Sequence, residues 1–186
     1  MKKKPLTIRE LCSIGLFVAI IAVCAQIIIP MPNGVPMTLQ TFAIPLAGAV
    51  LGIKNGTIAA LVYVLVGMTG VPVFAGFMGG IGMLFGRTGG FILAFPIIAL
   101  TAGIGAKKES RPWLAVWLVI GALILYTSGM LMFSFVTSST IAVSFALVVT
   151  PFILAEIIKI TMVIILGKPL KHALEKVSEM SKRRSS

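Results

Sequence analysis

Fourteen of this chain's lysines and arginines stand before, between or after long apolar runs, and almost nothing charged stands within the runs. Lys2, Lys3, Lys4 and Arg9 precede the first run. Lys54 follows the second, and Lys107, Lys108 and Arg111 follow the fourth. Lys168, Lys171, Lys176, Lys182, Arg183 and Arg184 follow the last. A soluble domain carries about 25% charged residues; this chain of 186 carries 11%, with 58% hydrophobic. The chain is therefore expected to be an all-α integral membrane protein of one domain, 1–186. At ~20 residues per span, its length fits about six transmembrane helices with short connections. Six spans put all fourteen cations and both termini on one face, which the positive-inside rule makes the cytoplasmic side of the cell membrane. The net charge of +11 then reports topology and attraction to the anionic lipid bilayer rather than nucleic acid.

The runs divide as follows. Leu11 to Ile29 is a first helix; its basic lead and Val23-Cys24-Ala25 imitate a secretory signal, but the run is too long and continues past that point. Gly15, Ala19 and Ala22 form a small-residue stripe on it. Such a stripe serves either packing within the protein or docking of a partner. Cys12 and Cys24 lie ~18 Å apart along the helix, too far to bridge. The turn-rich Pro30–Pro36 leads to a second run ending at Ile53. Lys54-Asn55-Gly56 is read as a tight turn into a third, Thr57 to Met68. Gly89 to Ala106 is the fourth, and Trp113 and Trp117 open the fifth, which runs to about Phe135. In the sixth, Ile141 to Leu166, Pro151 predicts a kink or break. Residues 168–186 form a basic cytoplasmic tail in which Leu170, Leu174 and Val177 share a face, as in a short interfacial helix.

Between helices three and four lies a segment unlike the rest. Nine of the chain's 19 glycines fall between Gly67 and Gly90, interleaved with Phe74, Phe77, Met78 and Met83. Glycine permits positive φ and close backbone approach at an entropic cost. Irregular backbone at membrane depth is tolerated where it is buried in protein or lines a cavity. The expectation is a pocket-forming loop on the extracellular side.

Two basic residues remain, Arg87 and Lys159, and one acid, Glu156, is not assigned to the cytoplasmic face. Glu156 and Lys159 stand i,i+3 on one face of the sixth run. A charge there costs ~2.5–3.5 kcal/mol on insertion scales, and such residues mark ligand or ion paths. Three readings are open: an ion pair locking two helices, a ligand site, or ion coupling. As a ligand site, Glu156 accepts N–H donors of a polar ring, and Lys159 or Arg87 holds a carboxylate. A small amphipathic anion matches this set. Catalysis is not expected, because the pair has no accompanying His, Ser/His or second carboxylate. The single histidine, His172, lies in the tail, so no metal cluster is expected either. No GxxxxGK[ST] phosphate loop is present, so active transport would need ATPases on another chain.

Gly70-Val-Pro-Val-Phe-Ala-Gly76, Gly79-Gly80, Gly86-Arg-Thr-Gly-Gly-Phe91, Pro36-Met-Thr-Leu-Gln-Thr41 and Pro151-Phe-x-x-x-Glu-x-x-Lys159 together resemble the BioY family, the biotin-binding S-components of energy-coupling factor (ECF) transporters. The resemblance implies six helices with biotin near the outer face and no cofactor, biotin being the transported ligand. It implies that Glu156 and Lys159 hold polar ends of biotin and that Gly76, Phe77, Met78, Gly79 and Gly80 lie against its bicyclic ring. Phe74, Arg87 and Gln40 complete the candidate set. The stripe Gly15/Ala19/Ala22 resembles the docking motif for the transmembrane coupling subunit, which carries an ATPase pair. Two positions depart from the family: Glu156 replaces its usual Asp, and Arg87 replaces a proline. Alternatives are an S-component for another vitamin, or a biotin facilitator acting alone.

Overall fold

The computed structural model describes residues 6–108 and 110–184, with side chains through 176. Lys2, Lys3, Lys4 and Glu109, and the side chains of Val177, Glu179, Lys182, Arg183 and Arg184, lie outside the described residues. Helices dominate: α1 (Ile8–Gln26), α2 (Gln40–Met68), α3 (Gly89–Gly105), α4 (Arg111–Thr137), α5 (Ile141–Val148) and α6 (Ile153–Arg184). Two antiparallel two-residue strands, β1 (Ile28–Ile29) and β2 (Met37–Thr38), join α1 to α2. Among the described residues, five helical stretches are long and apolar enough to cross a membrane.

α2 is not one straight rod. At Gly52 φ is 78° and ψ 178°, a conformation that favours glycine. There the chain folds back, so that a Cβ on Gly56 would stand 2.5 Å from the Gly48 Cα. The limbs 40–51 and 53–68 therefore lie against each other. The reversal falls at Gly52, not at Lys54–Gly56 as the charge pattern suggested. The reversal here is made by the positive φ of Gly52, and exposed Lys54 follows just beyond.

Pro151 interrupts the last apolar run as expected. α5 stops at Val148, a 3₁₀ turn covers Thr150–Phe152, and α6 restarts at Ile153. α6 then continues unbroken to Arg184 despite Pro169, so the basic tail continues the spanning helix instead of forming a separate one. α1 begins with a capping box between Thr7 and Glu10, which satisfies backbone donors left free by the helix start. Its buried side is Ile14, Phe17, Ile21 and Ala25. Gly15 and Ala19 are exposed and Ala22 half-buried, so the small-residue stripe does not chiefly serve packing within the chain. Both cysteines are free thiols.

Contacts define two ends of the bundle. At one, Asn55 donates to Glu10 (3.3 Å), and Gly103 packs on Ile53. Lys54 stands near Glu10 at this end, and Arg111, Lys168 and Lys171 gather beside Gly105 and Ala106. At the other end, the 30–38 and 69–88 segments meet each other and the C-terminal ends of α5 and α1.

Candidate functional site

The second end is hollow. A cavity of about 390 Å³ lies between the 34–41 segment, the 74–88 segment, the first turns of α3, and Tyr126, Phe152 and Lys159. The walls are mostly aromatic and aliphatic, with Phe74, Met83, Phe91 and Phe95 prominent. A mostly apolar pocket with a few convergent polar groups is the usual form of a small-molecule site, and about 300–1,000 Å³ its usual size.

Polar chemistry is concentrated on one wall. Lys159 Nζ donates to Thr41 Oγ1 at 2.8 Å, and Thr41 Oγ1 donates to Glu156 Oε2 at 3.2 Å. Tyr126 Oη donates to the same carboxylate oxygen at 3.0 Å. Lys159 and Glu156, both buried, are 3.9 Å apart, so the Thr41 hydroxyl bridges a pair that is itself at the edge of contact. Buried charges persist when paired and hydrogen-bonded, and this wall meets both conditions. Glu156 stands behind it, on a small void beneath the cavity, whereas Lys159, Thr41 and Tyr126 reach the cavity itself.

The 69–88 segment is held by side chains from two helices. Gln26, the last residue of α1, donates to the carbonyls of Phe74 (3.1 Å) and Val73 (3.4 Å). Its Oε1 accepts from the Phe77 N–H at 2.8 Å. From α2, Gln40 donates to Tyr63 Oη (2.6 Å), which donates to the Val73 carbonyl (2.9 Å). Within the segment, the Phe74 N–H bonds the Met78 carbonyl (2.9 Å), with Gly76 (φ 71°) and Phe77 (φ 56°) at the tip of the turn. That turn drives Phe74 inward, edge-on to Tyr63 and against the bare Cα of Gly67. It turns Phe77 outward, 70% exposed.

The mouth carries the second cation. Arg87, exposed, lines the cavity and reaches toward the Asn33 carbonyl at 3.5 Å. Asn33 Nδ2 donates to the Leu147 carbonyl, tying the 30–38 segment to α5. Of the residues singled out in the sequence, Lys159, Gln40, Phe74, Met78 and Arg87 line the cavity, and Glu156 lies directly behind it. Gly76, Phe77, Gly79 and Gly80 do not line it; they shape the turn that carries Phe74 and Met78. Tyr126 was not foreseen, nor was the bridging role of Thr41, although Thr41 closes the motif Pro36–Thr41.

The BioY family pattern matches residues 1–176. The chain belongs to the BioY family. The resemblance noted from its motifs is borne out. Relatives include the probable biotin transporter BioY of Pyrococcus horikoshii, 40% identical over 88% of this chain and 96% of the relative. The biotin transporter BioY of Thermotoga maritima is likewise 40% identical, over 88% and 96%. The biotin transporter BioY2 of Lactococcus lactis subsp. cremoris is 38% identical over 89% and 91%. These BioY proteins are named as transporters, so the family is one of transport rather than catalysis. The fold matches the crystal structure of the S-component for biotin from an ECF-type ABC transporter. The TM-score is 0.82 at 23% identity, over 90% of this chain and 95% of that one. At that identity the likeness shows a shared fold.

Proposed function

We propose that this chain is the biotin-binding S-component of an ECF transporter. It spans the cell membrane six times, with α2 crossing twice by its reversal at Gly52, and both termini are cytoplasmic. Biotin occupies the cavity from the extracellular side, beneath the glycine-rich 69–88 segment. The observation that carries this reading is the distribution of charge around an apolar cavity: a neutralised pair on one wall and a lone exposed cation at the mouth. Biotin has the complementary form, a neutral ureido ring, an apolar thiophane and chain, and a carboxylate.

The charge pattern favours one orientation. A carboxylate at Lys159 would also face Glu156, 3.9 Å from the ammonium, and like charges in a low-dielectric site repel strongly. The ureido group carries no net charge, and its carbonyl accepts from Lys159 while its N–H groups reach the acceptor side of the Thr41/Tyr126/Glu156 network. The carboxylate then lies at Arg87, still partly hydrated. Phe74, Phe91 and Phe95 cover the apolar middle. The exposed Gly15/Ala19/Ala22 stripe on α1 is the docking face for a transmembrane coupling subunit, which brings an ATPase pair.

Calorimetry of the purified protein is expected to show one-to-one biotin binding that is lost in Glu156→Ala/Lys159→Ala. Arg87→Ala should weaken biotin but leave biotin amide, which lacks the carboxylate charge, unaffected. Unaltered biotin affinity in the double variant would remove Glu156 and Lys159 from the site. A thermal shift with another vitamin and none with biotin would replace the ligand.

A further inference from the structure

The opposite end of the bundle contains a second cleft, far from the cavity. Arg111 at the start of α4 and Lys168, Lys171 and His172 on α6 line it together, over a floor that includes Ala49 and Leu114. Lys159 and Lys168 are separated by nine residues of α6, roughly 14 Å of helix rise. His172 has Glu175 beside it at 3.4 Å. Among the described residues, the ion pairs Lys159–Glu156 and His172–Glu175 involve none of Arg111, Lys168 and Lys171, and no carboxylate lines the cleft. Among the described residues, three cations from two helices thus line one cleft with no carboxylate in its wall, and an anion there would relieve their mutual repulsion.

The surroundings say what kind of anion. The cleft sits where α6 passes from its apolar run into the basic tail, with lipid-facing Ile165 and Val116 exposed on the adjoining helices. Lys108 lies over the Trp113 ring at 4.1 Å, and tryptophan near a helix end marks the membrane–water boundary. A basic recess between helices at that depth suits a lipid head group. We propose that this cleft binds the phosphate of an anionic phospholipid, with Arg111, Lys168 and Lys171 holding the phosphate oxygens and the acyl chains lying along the apolar faces of α4 and α6. Phosphatidylglycerol is the simplest probe of that class. A zwitterionic lipid adds its own cation to a cluster that already has three, so the cleft discriminates between them.

The test is native mass spectrometry of the full chain released from bilayers of equal phosphatidylglycerol and phosphatidylcholine. One retained phosphatidylglycerol is expected, in at least tenfold preference over phosphatidylcholine. Arg111→Gln/Lys168→Gln/Lys171→Gln should lose it at least tenfold. Lys54→Gln/Lys107→Gln/Lys108→Gln removes as much charge outside the cleft and should retain it within twofold. Circular dichroism melts check that both triple variants remain folded. Equal retention of the two lipids, equal loss in both triple variants, or full displacement by millimolar inorganic phosphate would each overturn the proposal. Lipid retention is read without biotin, so this result is independent of the ligand in the main cavity.

Discussion

Thr41→Val is the most informative single change. Valine has nearly the shape of threonine, so the cavity keeps its volume while the bridging hydroxyl disappears. Two hydrogen bonds go with it, from Lys159 at 2.8 Å and to Glu156 at 3.2 Å. Hydrogen bonds involving a charged group contribute about 1.5–3 kcal/mol each. Part of that returns if Lys159 closes the 3.9 Å gap to Glu156, but a lysine drawn into direct contact with Glu156 moves away from the cavity. Loss of one such bond's worth of ligand stabilisation is expected, and about 1.5–3 kcal/mol corresponds to roughly 12- to 140-fold in Kd. Isothermal titration of biotin measures it. Thr41→Ser, which keeps the oxygen, should stay within threefold of the unaltered protein. A Thr41→Val affinity also within threefold would show that the hydroxyl does not position Lys159, and the account of this wall would fail.

Two further outcomes concern the 69–88 segment. Gln26→Ala removes the three bonds that tie the segment to α1; a net loss of about 1–2 kcal/mol should speed biotin release 5- to 30-fold with little change in association, read by stopped-flow. An unchanged release rate would mean that the segment is not the exit barrier. Gly67→Ala places a methyl within the Phe74 ring, and overpacking of about 1–3 kcal/mol is expected; it should lower Tm and raise the biotin Kd at least tenfold, whereas an unshifted melting curve would contradict the packing described.

The helices were legible because hydropathy and charge placement are the dominant signals in a chain that meets lipid on most faces. Pro151 was legible for a local reason, since proline removes a backbone donor wherever it stands. The turn in α2 was misplaced because charge marks where a chain meets water, whereas this reversal is made by positive φ at Gly52, two residues before Lys54. Glu156 and Lys159 stood out because charges within apolar runs are few. Their neighbours did not: threonine and tyrosine are unremarkable in an apolar helix, and Thr41 is 115 residues from Glu156 in the chain. Phe77 was expected among the cavity walls with Phe74 and Met78, but its left-handed backbone turns it out. Aromatic content alone does not reveal which way a turn presents its rings.

On the proposed six-span topology, the reversal at Gly52 also sets how the molecule meets the thickness of its bilayer. A limb spanning 53–68 rises roughly 24 Å, whereas a typical hydrocarbon core is about 30 Å thick. Hydrophobic mismatch of this kind is relieved by local thinning or by apolar groups placed beyond the helix end. Phe77, Ile81 and Phe85, all exposed, lie in the segment that follows this limb. On that topology they would extend the apolar belt of the protein and make the segment over the cavity part of its lipid contact. Acyl-chain length thus becomes a variable acting on the same segment that carries the cavity-lining Phe74, Met78 and Met83.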